Sequence, residues 1–143
     1  MRKLVALLSA AAVCALAVTA VSLAASRGTS WSAKLTAAQE IPKQTVKAAA
    51  ASGSFKATLT GTKLKWTLTF SKLTGPATAA HIHLGAMGKA GNVLVPLCGP
   101  CKSPMSGTAT LPAAVIKDAG KHLLYVNVHT AKNPAGEIRG QVG

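Results

Sequence analysis

Regular alternation of hydrophobic and polar residues is the clearest feature of the chain after Gly53. Phe55, Ala57 and Leu59 fall on one side of an extended chain. The same period of two returns in residues 64–70, after a short turn that contains a glycine. A period of two places alternate side chains on opposite faces of a strand. The pattern therefore predicts a β-hairpin whose apolar face points inward.

Further short segments of the same kind follow, separated by turns that contain glycine or proline. No segment carries a long stripe with helical spacing, although residues 112–121 (PAAVIKDAGK) predict one helical turn or a short helix. The predicted strands, with the hairpin included, are 31–35, 55–59, 64–70, 79–84, 93–97, 123–130 and 137–142. About seven short strands joined by such turns predict an all-β fold, an antiparallel β-sandwich or barrel.

The N-terminal segment has a different character. The chain begins with two basic residues after Met1, and no further charge occurs before Arg27. The apolar, small-residue stretch between them is typical of a secretory signal peptide that is cleaved near Ala24 or Ala25. An uncleaved membrane anchor is the alternative, because about 20 apolar residues can span a bilayer. We expect a signal peptide at 1–25 and an exported domain at 26–143, secreted or held in the cell envelope, without a membrane span after cleavage.

The charge balance is strongly basic. The full chain has 16 Lys and Arg residues against 3 Asp and Glu residues, and its net charge is +13. Such a surface favours anionic surroundings, and we expect anionic cell-envelope polymers as partners. A solvated cationic coat without a partner is the alternative. The lysines are scattered singly and aromatic residues are few, which disfavours nucleic acid as a ligand.

Cys98 and Cys101 lie in a Cys-Gly-Pro-Cys segment, the same four residues that form a thioredoxin active site. A catalytic thiolate of that kind lies at a helix N-terminus, where the helix dipole lowers its pKa. Here Pro104 and Gly107 follow closely, and no βαβ pattern surrounds the pair. In an exported protein the pair predicts a disulfide that shapes a loop, with thiol-redox catalysis as the less favoured alternative.

Three of the later strands carry an aliphatic stripe backed by a polar one. In residues 79–84 the polar side holds His81 and His83. In residues 123–130 and 137–142 the corresponding side holds Tyr125, Asn127, His129, Glu137 and Arg139. If the aliphatic stripes form the core, these polar residues gather on the opposite side of the sheet. His122 lies outside the pattern.

The spacing His-x-His places two imidazoles on one side of a strand, with Cα atoms roughly 6.6 Å apart. Imidazole is a suitable ligand for Cu, Zn or Ni, and His129 on a neighbouring strand adds a third nitrogen. The sequence therefore predicts a metal site formed by His81, His83 and His129, with copper favoured over zinc. The alternative is a polar network in which the same histidines hydrogen-bond to side chains or backbone carbonyls. No complete catalytic constellation is evident, so we expect a binding module and not an enzyme.

Long parts of the chain resemble the CHRD domain, a module named after chordin that also occurs in exported microbial proteins. The segment YVNVHT…NPAGEIRGQ is highly specific, and the similar segments are 35–42, 79–85, 91–97, 106–111 and 119–142. The resemblance implies an all-β domain outside the cytosol. It supplies no settled activity for the microbial members, so a structural or adhesive module without metal remains the alternative function.

A fainter similarity links LTGPATAAHIHLG to the copper–zinc superoxide dismutases, in which a His-x-His strand binds copper. This chain has four histidines in all and lacks the loop that would hold the second metal. The similarity favours a single copper site over dismutase chemistry, which is the less favoured enzymatic alternative.

Overall fold

A computed structural model describes residues 27–143 as a mainly β structure with one short α-helix, α1 (Ala113–Ala119). The signal peptide predicted at 1–25 lies outside the described residues. The eight strands of the described part are β1 (Thr29–Thr36), β2 (Ser52–Thr60), β3 (Lys63–Ser71), β4 (Ala77–Leu84), β5 (Val93–Cys98), β6 (Met105–Thr110), β7 (Leu124–Thr130) and β8 (Ile138–Gln141).

All eight strands belong to one antiparallel sheet, in the order β5-β4-β7-β8-β1-β2-β3-β6, which curls into a nearly closed barrel. The predicted antiparallel β fold is confirmed, and so is the short helix within residues 112–121. The two edge strands of this sheet are β5 and β6, and the curl brings them next to each other.

The structure has one strand more than the predicted seven. β6 pairs with β3 from Lys63↔Thr110 to Leu68↔Met105. Its sequence, MSGTAT, has small and half-exposed residues where other strands have large apolar ones, so its alternation carries little signal. A small residue is needed in β6 because Gly107 lies opposite Trp66 and leaves room for the indole ring.

The core fills the inside of the barrel with the aliphatic stripes that the alternation predicts. The fully buried side chains include Leu35, Phe55, Leu64, Leu68, Ile82, Leu124, Val126 and Ile138. Burying a side chain of this size contributes about 1.5–3 kcal/mol, so these strands hold their register strongly.

β7 differs from the other strands because all seven of its residues are buried. One face packs into the core, and segments outside the sheet cover the other. Gly91 N–H donates to the Tyr125 hydroxyl at 3.1 Å, and the guanidinium of Arg139 donates to the Ala86 carbonyl at 3.0 Å. The loop between β4 and β5 thus closes over the outer side of β7 and β8. The polar stripe predicted there is enclosed and not solvated.

The helix α1 has only seven residues, and none of the helices within residues 27–143 is long and apolar enough to span a bilayer.

Candidate metal centre

The three predicted histidines come together on the outer side of β4 and β7. His81 and His83 alternate on β4, and His129 on β7 lies opposite Ala79 in the antiparallel register. The ring centroids of His81 and His129 are 4.9 Å apart, and those of His81 and His83 are 5.5 Å apart. One ligand nitrogen from each ring lies within 4.8 Å of the others. The three side chains therefore present nitrogen atoms to one small volume.

Backbone carbonyls fix the tautomer of two of these rings. Nδ1 of His83 lies 3.0 Å from the Gly91 carbonyl oxygen, and Nδ1 of His129 lies 3.0 Å from that of Pro134. A carbonyl oxygen only accepts, so each Nδ1 carries the proton and each Nε2 presents a lone pair. This is how metal-binding histidines are usually oriented, with the second ring nitrogen donating to a carbonyl or carboxylate.

The spacing of the ring nitrogens also fits ligands of one ion. Nδ1 of His81 and Nε2 of His129 share a hydrogen bond of 3.1 Å, and a metal ion that displaced its proton would find the two nitrogens already close together. Two nitrogen ligands of one tetrahedral ion are separated by about 3.3 Å, since each lies roughly 2.0–2.1 Å from the metal. Nε2 of His83 is buried and has no hydrogen-bond partner. An unpartnered buried acceptor is costly, so this atom fits a site that is completed by a bound cation.

The environment keeps all three imidazoles neutral near pH 7. Burial lowers the pKa of His129 to about 4, although the hydrogen bond to Pro134 acts against it. Burial also lowers the pKa of His81 and of His83. Repulsion between the His81 and His83 rings when protonated adds to the effect at His81, and the charge of Arg139 adds to it at His83. Neutral imidazole is the form that binds a metal ion.

Tyr125 and Gly91 support His83. The Tyr125 ring stacks on the His83 imidazole with centroids 4.8 Å apart and an interplanar angle of 14°. The Tyr125 hydroxyl donates to the Gly91 carbonyl at 3.3 Å, the same carbonyl that accepts from His83. A side chain at position 91 would overlap the Leu84 carbonyl, so only glycine allows the loop to approach this closely.

A buried polar cluster lies beside the histidines and includes a residue that the sequence did not single out, Glu40. Asn127 Nδ2 donates to Glu40 Oε1 at 2.8 Å. Burial raises the pKa of Glu40 to about 7, although hydrogen bonds from Asn127 and Ile41 act against it. Gly136 has a φ of 137° and lies against both side chains, where a Cβ atom would clash. In the sequence, the one sign of a role for Glu40 is its place in segment 35–42, which resembles the CHRD domain.

Glu137 and Arg139, which the sequence places on one polar face, lie in separate surroundings. Glu137 accepts hydrogen bonds from Thr74, Thr130 and Asn133 on the core side of the last turn. Arg139 packs on Tyr125 on the histidine side, with Cζ 3.5 Å from the ring centroid. The two residues do not form an ion pair with each other. Tyr125, Asn127 and Arg139 thus surround the histidines, and Glu137 does not.

The remaining predicted positions lie away from this cluster in the sheet. Cys98 and Cys101 form a disulfide at the end of β5, and Cys101 N–H donates to the Ala77 carbonyl at 3.1 Å. No helix of the described residues begins at this pair, in contrast to a thioredoxin site. His122 is exposed, in the turn between α1 and β7.

A protein-family model, the CHRD domain, matches residues 31–142 and so spans all of the described part except residues 27–30 and 143. Among curated proteins and among solved structures, none is similar enough to this chain to count as a match.

Proposed function

The chain belongs to the CHRD domain family, and from this premise we propose that it is an exported binding module that holds one transition metal ion, preferably copper, on His81, His83 and His129. The proposal is for a binding protein and not an enzyme. Export is supported by the basic and apolar N-terminal segment, and by a disulfide, which persists in oxidising surroundings.

The single observation that carries the metal proposal is the state of the His83 imidazole. Its Nδ1 is anchored on the Gly91 carbonyl, while Nε2 is buried and unpartnered beside two further imidazoles. A purely structural histidine network would be expected to pair this nitrogen, because an unsatisfied buried acceptor costs about 1–3 kcal/mol. A bound ion would satisfy it. Three nitrogen ligands suit copper and zinc, and the partly exposed His81 leaves an open side for water or another ligand.

Calorimetric titration with Cu(II), and separately with Zn(II), tests this proposal directly. We expect the exported domain to bind one equivalent of Cu(II). His83→Ala and His129→Ala should weaken binding by more than the roughly 10- to 100-fold loss typical of residues that only orient a ligand. His122→Ala is the matched control and should bind like the wild type, because its ring is exposed and outside the cluster.

Equal binding by all four proteins, or no binding at micromolar concentration, would reject the site. Circular dichroism of each variant separates loss of a ligand from loss of the fold. His81→Ala provides a variant at a half-exposed position, where unfolding is least expected.

A further inference from the structure

Arg139 is a buried positive charge that forms no direct ion pair with a carboxylate of the described residues. It is 1% exposed, and Nη2 donates to two neutral oxygens, the Ala86 carbonyl at 3.0 Å and Gln141 Oε1 at 3.4 Å. Nη1 is buried and has no partner, and no carboxylate among residues 27–143 forms an ion pair with this side chain. Burying an unpaired charge costs several kcal/mol, so the position of this guanidinium calls for an explanation beyond packing.

The charge is coupled to the histidine cluster through one aromatic ring. β7 lies between β4 and β8, so Tyr125 stands between His83 on one side and Arg139 on the other. The guanidinium lies 3.5 Å from the centroid of the Tyr125 ring, and the His83 imidazole stacks on that ring at 4.8 Å. The guanidinium therefore lies one ring away from a proposed ligand, in surroundings from which water is largely excluded.

Negative charge that would compensate Arg139 is scarce at this site. The three proposed ligands are neutral imidazoles. Burial raises the pKa of the Glu40 carboxyl group to about 7 and outweighs the hydrogen bond from Asn127 and the charge of Arg139, which both lower it, so about half of it is uncharged at neutral pH. Glu137 points to the other side of β7, where three residues donate hydrogen bonds to it.

We propose that Arg139 selects the oxidation state of the bound ion, favouring Cu(I) over Cu(II) and disfavouring divalent ions such as Zn(II). This inference rests on the proposed metal site. A fixed positive charge repels a divalent ion twice as strongly as a univalent one at the same place. Because the proposed ligands are neutral, the net charge of the metal site equals the charge of the ion. The repulsion by Arg139 is therefore stronger for Cu(II) than for Cu(I). Arg139 acts here as a positioning and tuning residue and touches no metal.

The test compares the affinities of the protein for Cu(I), under anaerobic conditions, and for Cu(II). Arg139→Met should lower the ratio of Cu(I) to Cu(II) affinity by about tenfold, which corresponds to a fall of about 59 mV in the one-electron potential. Arg139→Lys keeps the charge and should stay near the wild-type ratio. Lys65→Met removes an equal charge from an exposed position and should leave the ratio unchanged, because water and salt screen it.

A second variant avoids altering the arginine itself, in case Arg139→Met does not fold. Gln141→Glu places a carboxylate where Gln141 Oε1 now accepts from Arg139, and the resulting ion pair should lower the ratio in the same direction. An unchanged ratio in folded Arg139→Met or Gln141→Glu, with copper binding that still depends on His83, overturns this inference alone. Absence of copper binding by the wild type overturns the metal site and this inference together.

Discussion

Along β2 and β3 exposed and buried residues alternate, whereas along β7 every residue is buried. Both regions have the same period of two in their sequences. On β2 and β3 the outward residues are lysines, serines and threonines, such as Lys56, Lys65 and Thr67, that remain in water. On β7 the outward residues Tyr125, Asn127 and His129 are enclosed.

The difference shows what a covered sheet face requires of its polar residues. Thr67 and Ser106 share a hydrogen bond on the exposed face, and water can replace it at little cost. On the covered face each polar group needs a partner within the protein, and most have one. Four buried atoms of the described residues lack one: Glu40 Oε2, His83 Nε2, Asn127 Oδ1 and Arg139 Nη1. All four belong to the enclosed polar region, and this concentration supports placing the proposed metal site there.

The largest effect is expected at Glu137, a polar residue that is buried on the core side of β7 and not on its covered outer face. Its carboxylate is fully buried and accepts from Thr74, Thr130 and Asn133, so removing it leaves several buried donors unpaired. Glu137→Ala should lower the free energy of unfolding by roughly 3 kcal/mol. Urea unfolding measures the loss. A loss below about 0.5 kcal/mol, the usual range for surface positions, would show that a buried polar group beside β7 is no more demanding than an exposed one.

The sequence predicted the strands of both regions, but it did not predict that one sheet face is covered. The alternation on residues 55–70, 79–84 and 123–130 predicted strands correctly, because period two is a local property of the chain. It also placed the three histidines on one side of the sheet. The alternation did not predict that the outer face of β7 is covered. The loop between β4 and β5 that covers it contains glycines, and its path depends on contacts with residues distant in the sequence.

Glu40 was missed by the sequence reasoning and Glu137 was named by it, but the partners of both depend on long-range pairing. Glu40 contacts Asn127, which is 87 positions away, and Glu137 contacts Thr74, which is 63 positions away. The spacing of Glu137 and Arg139 placed them on one face, but Glu137 precedes the first residue of β8 and turns toward Thr130 instead. Side chains stop alternating between the two faces where a strand ends, and the local sequence does not show where β8 begins.

A pH-dependent effect of similar size is expected at Glu40. Burial raises the pKa of this carboxyl group from 4.5 to about 7 in the folded protein. The folded state therefore holds its proton more tightly, so the stabilisation is complete below pH 4.5 and is lost as the pH rises through 7. Glu40→Gln has no proton to lose. Between pH 4.5 and 7.5 the variant should gain about 3 kcal/mol relative to the wild type, measured by urea unfolding at each pH.

A constant difference between Glu40→Gln and the wild type across this range would contradict the prediction. His129 contributes the opposite trend to both proteins, because burial lowers its pKa from 6.5 to about 4. Its stabilisation is complete above pH 6.5 and is lost as the pH falls toward 4. Comparing the two proteins at the same pH cancels this contribution, so the difference between them reports on Glu40.

The smallest effect is expected on the exposed face, where one substitution can be matched with its counterpart on β7. Thr67→Ala removes an exposed hydroxyl that shares a hydrogen bond with Ser106 at 2.9 Å. Thr130→Ala removes a fully buried hydroxyl that donates to Glu137 at 2.6 Å. The chemical change is the same, but water replaces the lost partner only at position 67. Thr67→Ala should change the free energy of unfolding by less than about 0.5 kcal/mol, and Thr130→Ala should lower it by about 2 kcal/mol. Equal losses in urea unfolding would mean that burial of a hydrogen-bonded hydroxyl has no energetic consequence in this protein.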